Sequence, residues 1–141
     1  MKKMSAFVSV LGLAFASHAM AMSEFIVSSC TPEHPTPDYG YTIKVGRTVV
    51  SVPGEGFKRA YLAHVSQITI AGPRPLKTYK VKYIKADPNR PGSSPSFEGP
   101  GFKLQYSTNG NPEGGQYPAI MEIRNQGNDI SEKLTCKLFM I

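Results

Sequence analysis

The ten residues EKLTCKLFMI, 132–141, decide how the chain is read. Side chains of an extended backbone point alternately to opposite faces, so Leu134, Cys136, Leu138 and Met140 share one face and Lys133, Thr135, Lys137, Phe139 and Ile141 the other. The pattern is that of a strand with one side against a core. The second of the two cysteines, Cys30, ends another β-favouring run, EFIVSSC at 24–30. A Cys30–Cys136 disulfide would staple the first strand to the last, and it requires the two strands to be neighbours or to face each other across the core.

Residues 1–21 are expected to be a secretory leader. Lys2 and Lys3 form its basic start, 7–16 its apolar middle, and Ala19, Met20 and Ala21 a small-x-small cleavage site, which places the first mature residue at Met22. The apolar middle falls short of the roughly 20 residues a transmembrane helix needs, and no other stretch reaches that length, so no transmembrane segment is expected in 22–141. Export to the periplasm or beyond suits a cysteine pair that closes into a disulfide. The run Val27-Ser28-Ser29-Cys30 also resembles a lipobox. Ser17, His18, Ser23 and Glu24 separate it from the apolar segment, and lipidation of Cys30 would strand Cys136.

Between the cysteines, short apolar-alternating runs are separated by Gly, Pro and Ser. The proline-rich connector 31–38 forces extended backbone. A hairpin is read from 39–45 and 48–52, turning at Gly46 and Arg47. In 58–71 helix and strand compete. The β-branched Val65, Ile68, Thr69 and Ile70 and the missing N-cap favour strand, with a bulge near Ser66 and Gln67. A turn at 72–75 and a strand at 78–86 follow, then a long loop at 87–101, a strand at 102–106, a second loop at 108–116, and strands at 117–125 and the C-terminus. The expectation is one all-β domain over 22–141, an antiparallel β-sandwich or barrel of about seven to eight short strands. Trp is absent, which removes the cysteine-tryptophan-cysteine frame of an immunoglobulin domain.

Catalytic patterns are scarce: there is no H-E-x-x-H, no G-x-S-x-G and no paired-cysteine motif, and no cofactor is implied. Cys30, Glu33 and His34 are close enough in sequence to suggest metal ligands, but a disulfide would remove the thiolate. His64 reads as a strand residue, and a concave pocket holding it with a carboxylate would favour an enzyme.

Charge is the one asymmetry. The whole chain carries a net +6, which falls to +4 once Lys2 and Lys3 leave. From Lys58 to Arg90 eight basic residues face the single acid Asp87. Arg74, Lys77, Lys80, Lys82, Lys85 and Arg90, with Tyr79 and Tyr83 between them, are the candidate binding residues for a polyanion. The competing explanation is a lysine-studded strand that resists edge pairing, with both tyrosines in the core. The expected function is therefore a secreted or periplasmic, non-enzymatic binding module for a polyanion or an envelope protein. The alternative is a small exported enzyme or enzyme inhibitor using loops 87–101 and 108–116, with Phe97 and Tyr117 as loop anchors.

Overall fold

Eight strands run antiparallel, each hydrogen-bonded to the next in sequence, and the eighth returns to the first: β1 (Phe25–Pro32), β2 (Tyr41–Val52), β3 (Gly56–Thr69), β4 (Gly72–Ile84), β5 (Ser96–Gly99), β6 (Phe102–Tyr106), β7 (Gly115–Ile123) and β8 (Ile130–Leu138). The structure, a computed structural model, describes residues 24–36, 39–108, 115–125 and 127–139. The expected leader, the start at Met22, most of loop 108–116 and the final Met140 and Ile141 lie outside them.

Of the two architectures the sequence allows, the sheet adopts the barrel, one closed sheet of eight strands. Eight strands enclose a bore that side chains alone can fill. Ile43, Val45, Val65, Phe97, Leu104, Tyr106, Met121 and Leu134 fill it and are fully buried. Four aromatic contacts knit this core: Phe97 meets Tyr61 at 5.3 Å, Tyr83 at 5.1 Å and Tyr106 at 6.1 Å between ring centroids, and Tyr79 stacks on Phe102 at 5.0 Å. Outward positions carry the exposed Lys44, Lys80, Lys82, Glu122, Lys133 and Lys137. That polarity is the reverse of a transmembrane barrel, which is apolar outside. Among the described residues no helix is long and apolar enough to cross a membrane.

The seam between β1 and β8 holds the disulfide. Cys30 and Cys136 sit directly opposite one another with Cα atoms 4.0 Å apart, and the bond joins residues 106 apart in sequence. Both cysteines are buried.

Three expected boundaries move. The hairpin turn read at Gly46 and Arg47 does not exist, because β2 runs straight through them and the chain reverses at 53–55. Gly46 leaves room there for the side chain of Glu24, which crosses it and would have to move aside for a Cβ. The turn read at 72–75 shifts to Ile70 and Ala71, so that Pro73 and Pro75 belong to β4. They are tolerated because β5 pairs only with Lys82, Tyr83 and Ile84, which leaves the earlier part of β4 as an edge. Finally, the loop read over 87–101 contains the short strand β5. Phe97 is therefore a buried core residue and no loop anchor, and Tyr117 lies on β7, packed against the core. The bulge expected in the 58–71 run near Ser66 and Gln67 lies in its partner instead: the register shifts between Val65 and Ser66 because Leu76 of β4 is the extra residue.

Candidate functional site: the wall where β3 and β4 part

The candidate basic residues do not form one patch. Arg74 to Lys85 extends over about 36 Å at a rise of ~3.3 Å per residue. Arg74 and Lys77 lie toward the β3–β4 turn, and Lys77 places its ammonium 4.9 Å from the centre of the Tyr79 ring. Lys85 and Arg90 lie past the other end of β4, in the connection to β5. Tyr79 and Tyr83 turn inward onto Phe102 and Phe97, as strand alternation requires. They lie on the face opposite Lys80 and Lys82, and of the candidate lysines Lys77 is the one set over a tyrosine ring. Lys80 and Lys82 alone of the set share the outer wall.

Their surroundings differ. Lys82 stands opposite Glu98, Glu98 opposite Lys103, and Lys103 opposite Glu122, an alternating ladder across four strands. Glu98 also accepts a hydrogen bond from Ser96 Oγ at 2.8 Å and lies 4.0 Å from Lys103 Nζ. Lys80 stands opposite Leu62 on β3. On its other side Gly99 approaches so closely that a Cβ there would strike the Lys80 carbonyl oxygen.

Here the sheet divides. Pairing of β3 with β4 ends at Tyr61 and Val81, whereas β2 and β3 continue as a two-stranded arm to Val52 and Gly56, and β4 turns away to join β5. Between the diverging strands lies a cleft of about 680 Å³. Val50, Ala60, Leu62, Val81 and Pro100 supply apolar lining, and Arg59, Lys80 and Lys82 bring three cations to it. The one acid in the lining is Glu98. Among the described residues no ion pair occupies Arg59, Lys80 or Lys82. Arg59 belongs to the basic run of the sequence, but its place at this cleft was invisible there because it depends on where β4 leaves β3.

A second cluster lies on the same wall. Glu24 Oε1 is 2.6 Å from His64 Nε2, and His64 Nδ1 is 2.9 Å from Thr78 Oγ1. Alternation sends His64 outward between Ala63 and Val65, with Thr78 opposite it on β4, and Glu24 reaches it across Gly46. A hydroxyl, an imidazole and a carboxylate are thus in hydrogen-bond contact beside a hollow of about 470 Å³ lined by His64, Ser66, Leu76 and Thr78. Sequence reading treated His64 as an ordinary strand residue, since only the fold brings Glu24 to it.

The disulfide takes Cys30 out of any metal site, and among the described residues no three His, Cys, Asp or Glu side chains gather to hold a metal. The two long loops flank the β5–β6 hairpin instead of a single strand, so both start from the end of the barrel that carries the β2–β3 arm, the start of β1 and the end of β8. The disulfide is weakly compatible with an oxidising compartment. Comparison with models of protein families, with curated proteins and with solved structures finds no match. What the fold defines is a class: a small, filled, up-and-down β-barrel with its clefts outside the bore.

Proposed function

We propose that the protein is an exported, non-enzymatic binding module that takes an anionic ligand on the outer wall of the barrel, where β3 and β4 part. One observation carries the reading. Arg59, Lys80 and Lys82 line a single cleft without ion pairs among the described residues, while the acid in the same lining, Glu98, accepts a hydrogen bond from Ser96 and lies 4.0 Å from Lys103. Cations left unpaired around an apolar surface favour an anion that can replace their water. The leader-like 1–21 and the buried disulfide support export.

Retention on immobilised heparin tests the reading. The protein should be retained at low salt and released steeply between about 50 and 200 mM. Arg59→Glu with Lys80→Glu should lower the eluting salt, whereas Arg74→Glu with Arg90→Glu, at the two ends of β4, should change it little. Unchanged elution of the Arg59/Lys80 variant removes the cleft as the anion site.

A second reading, a small exported hydrolase, draws on the contact of Thr78, His64 and Glu24. Covalent labelling by a fluorophosphonate that disappears in Thr78→Ala would support it, and failure of the native protein to label would remove it.

A further inference from the structure

Resting on the anion-binding reading, we infer that the ligand of this cleft is a single-chain anionic amphiphile, with its head among Arg59, Lys80 and Lys82 and its hydrocarbon tail along Val50, Ala60 and Leu62. The cleft of about 680 Å³ falls in the range of small-molecule sites, about 300–1,000 Å³. Its chemistry is divided: the cationic groups come from Lys80 and Lys82 on β4 and from the inward-facing Arg59, and Val50, Ala60 and Leu62 bring apolar groups from the outer face of β2 and β3. A rigid polyanion needs cations spaced along a line and makes no use of apolar lining. Here Arg59, Lys80 and Lys82 all line one cleft, and the line of basic residues on β4 is interrupted where Lys82 faces Glu98. Val50 is 40% exposed on a two-stranded arm with no third strand beside it, so covering it gains burial that the protein alone does not supply.

The occupant is a free amphiphile and not a bilayer surface, because Ala60, Leu62 and Val81 line a recess between strands. A head group alone would bind weakly through screened charge. The tail adds affinity in proportion to its length until the recess is full.

The test is a titration calorimetry series on the folded chain 22–141 with alkyl carboxylates from butanoate to dodecanoate, each below its micelle concentration. Affinity should rise about fourfold per added methylene and then level off. Ala60→Trp, which fills the recess from outside the barrel, should abolish the dependence on chain length, and Val50→Glu on the exposed arm should do the same should the first variant fail to fold. Arg59→Glu with Lys80→Glu should weaken every member of the series by a common factor. Affinity independent of chain length, with salt-dependent heparin retention intact, overturns the amphiphile and leaves the anion-binding reading standing. A length dependence that survives in both Ala60→Trp and Val50→Glu overturns it as well, by placing the tail elsewhere. Loss of neither carboxylate nor heparin binding in the Arg59/Lys80 variant overturns both readings. Binding to phosphatidylglycerol vesicles without binding to free decanoate assigns the surface to a membrane and overturns the inference.

Discussion

Replacing Cys30 and Cys136 together by alanine removes the covalent link at the middle of the barrel's seam. Strands β1 and β8 share five register pairs, against nine between β7 and β8, and the disulfide is the central one of the five. With the cysteines 106 positions apart in sequence, the chain-entropy relation gives a loss of about 4.8 kcal/mol at 25 °C. Small domains are stable by about 5–15 kcal/mol, so this is a third or more of the total. The sulfur atoms lie in the core, so the loss of their packing adds to the effect. Urea unfolding followed by far-UV circular dichroism measures it. With a denaturant slope of about 1.5 kcal/mol/M, the midpoint should fall by about 3 M. The slope itself should rise, because the unlinked denatured chain exposes more surface. Hydrogen exchange should show the loss of protection first in β1 and β8. A midpoint shift under about 0.7 M, worth about 1 kcal/mol at that slope, would falsify the argument: the seam would then be held by packing and hydrogen bonds, with the disulfide a bystander.

Three further outcomes follow from the core. Tyr106 donates a hydrogen bond to Ser28 Oγ at 2.8 Å, and both are buried, so Ser28→Ala should cost about 1–3 kcal/mol by orphaning the phenol, while the Ser28→Ala/Tyr106→Phe double variant recovers part of that loss in a double-mutant cycle. Burial raises the Tyr106 phenol above its ordinary value, with the Ser28 bond opposing, so the native state keeps a proton that the unfolded chain gives up near pH ~10. Stability should therefore be full below that pH and fall as pH rises beyond it, by up to about 1.4 kcal/mol per pH unit, and pH-stability curves of Tyr106→Phe should be flatter there. Gly99→Ala should drive a Cβ into the Lys80 carbonyl oxygen and cost about 1–3 kcal/mol by thermal melting, since β4 and β5 share only three register pairs; an unchanged melting temperature would mean that the strands part without consequence.

How far the sequence carried is plain in particular residues. Alternation at Leu134, Cys136 and Leu138 placed these side chains on the face where the structure has them, and the alternative that turns Tyr79 and Tyr83 toward the core is the one the structure shows. The β-branched run through Val65 and Ile68 resolved helix against strand in favour of strand. What failed was glycine and proline read as punctuation. Gly46 makes room for a side chain 22 positions earlier in the sequence, and Pro73 and Pro75 occupy an unpaired edge, which are both facts of tertiary neighbourhood. Strand β5 escaped because four residues give too little alternation to count, although the Pro100-Gly101 pair, with Gly101 at φ 76°, carries the mark of the tight turn that follows it. The candidate site was half legible. Its charges stood out in composition, but selecting Lys80, Lys82 and Arg59 from eight basic residues required knowing where two strands separate.

The nearest-neighbour strand order has one more consequence. Every strand is paired through backbone hydrogen bonds only with the ones before and after it in sequence, the first with the last, and Phe139 N donates to Val27 O at 2.9 Å across the seam, so the order of strands is a ring with one cut. Nothing in such a ring singles out the place of the cut. A short peptide joining Phe139 to Glu24, with new termini opened in the 85–95 connection, would keep every strand beside its present neighbours and turn the seam into an ordinary hairpin. Its two strands would then find each other locally during folding, where the natural chain has to bring together segments more than 100 residues apart.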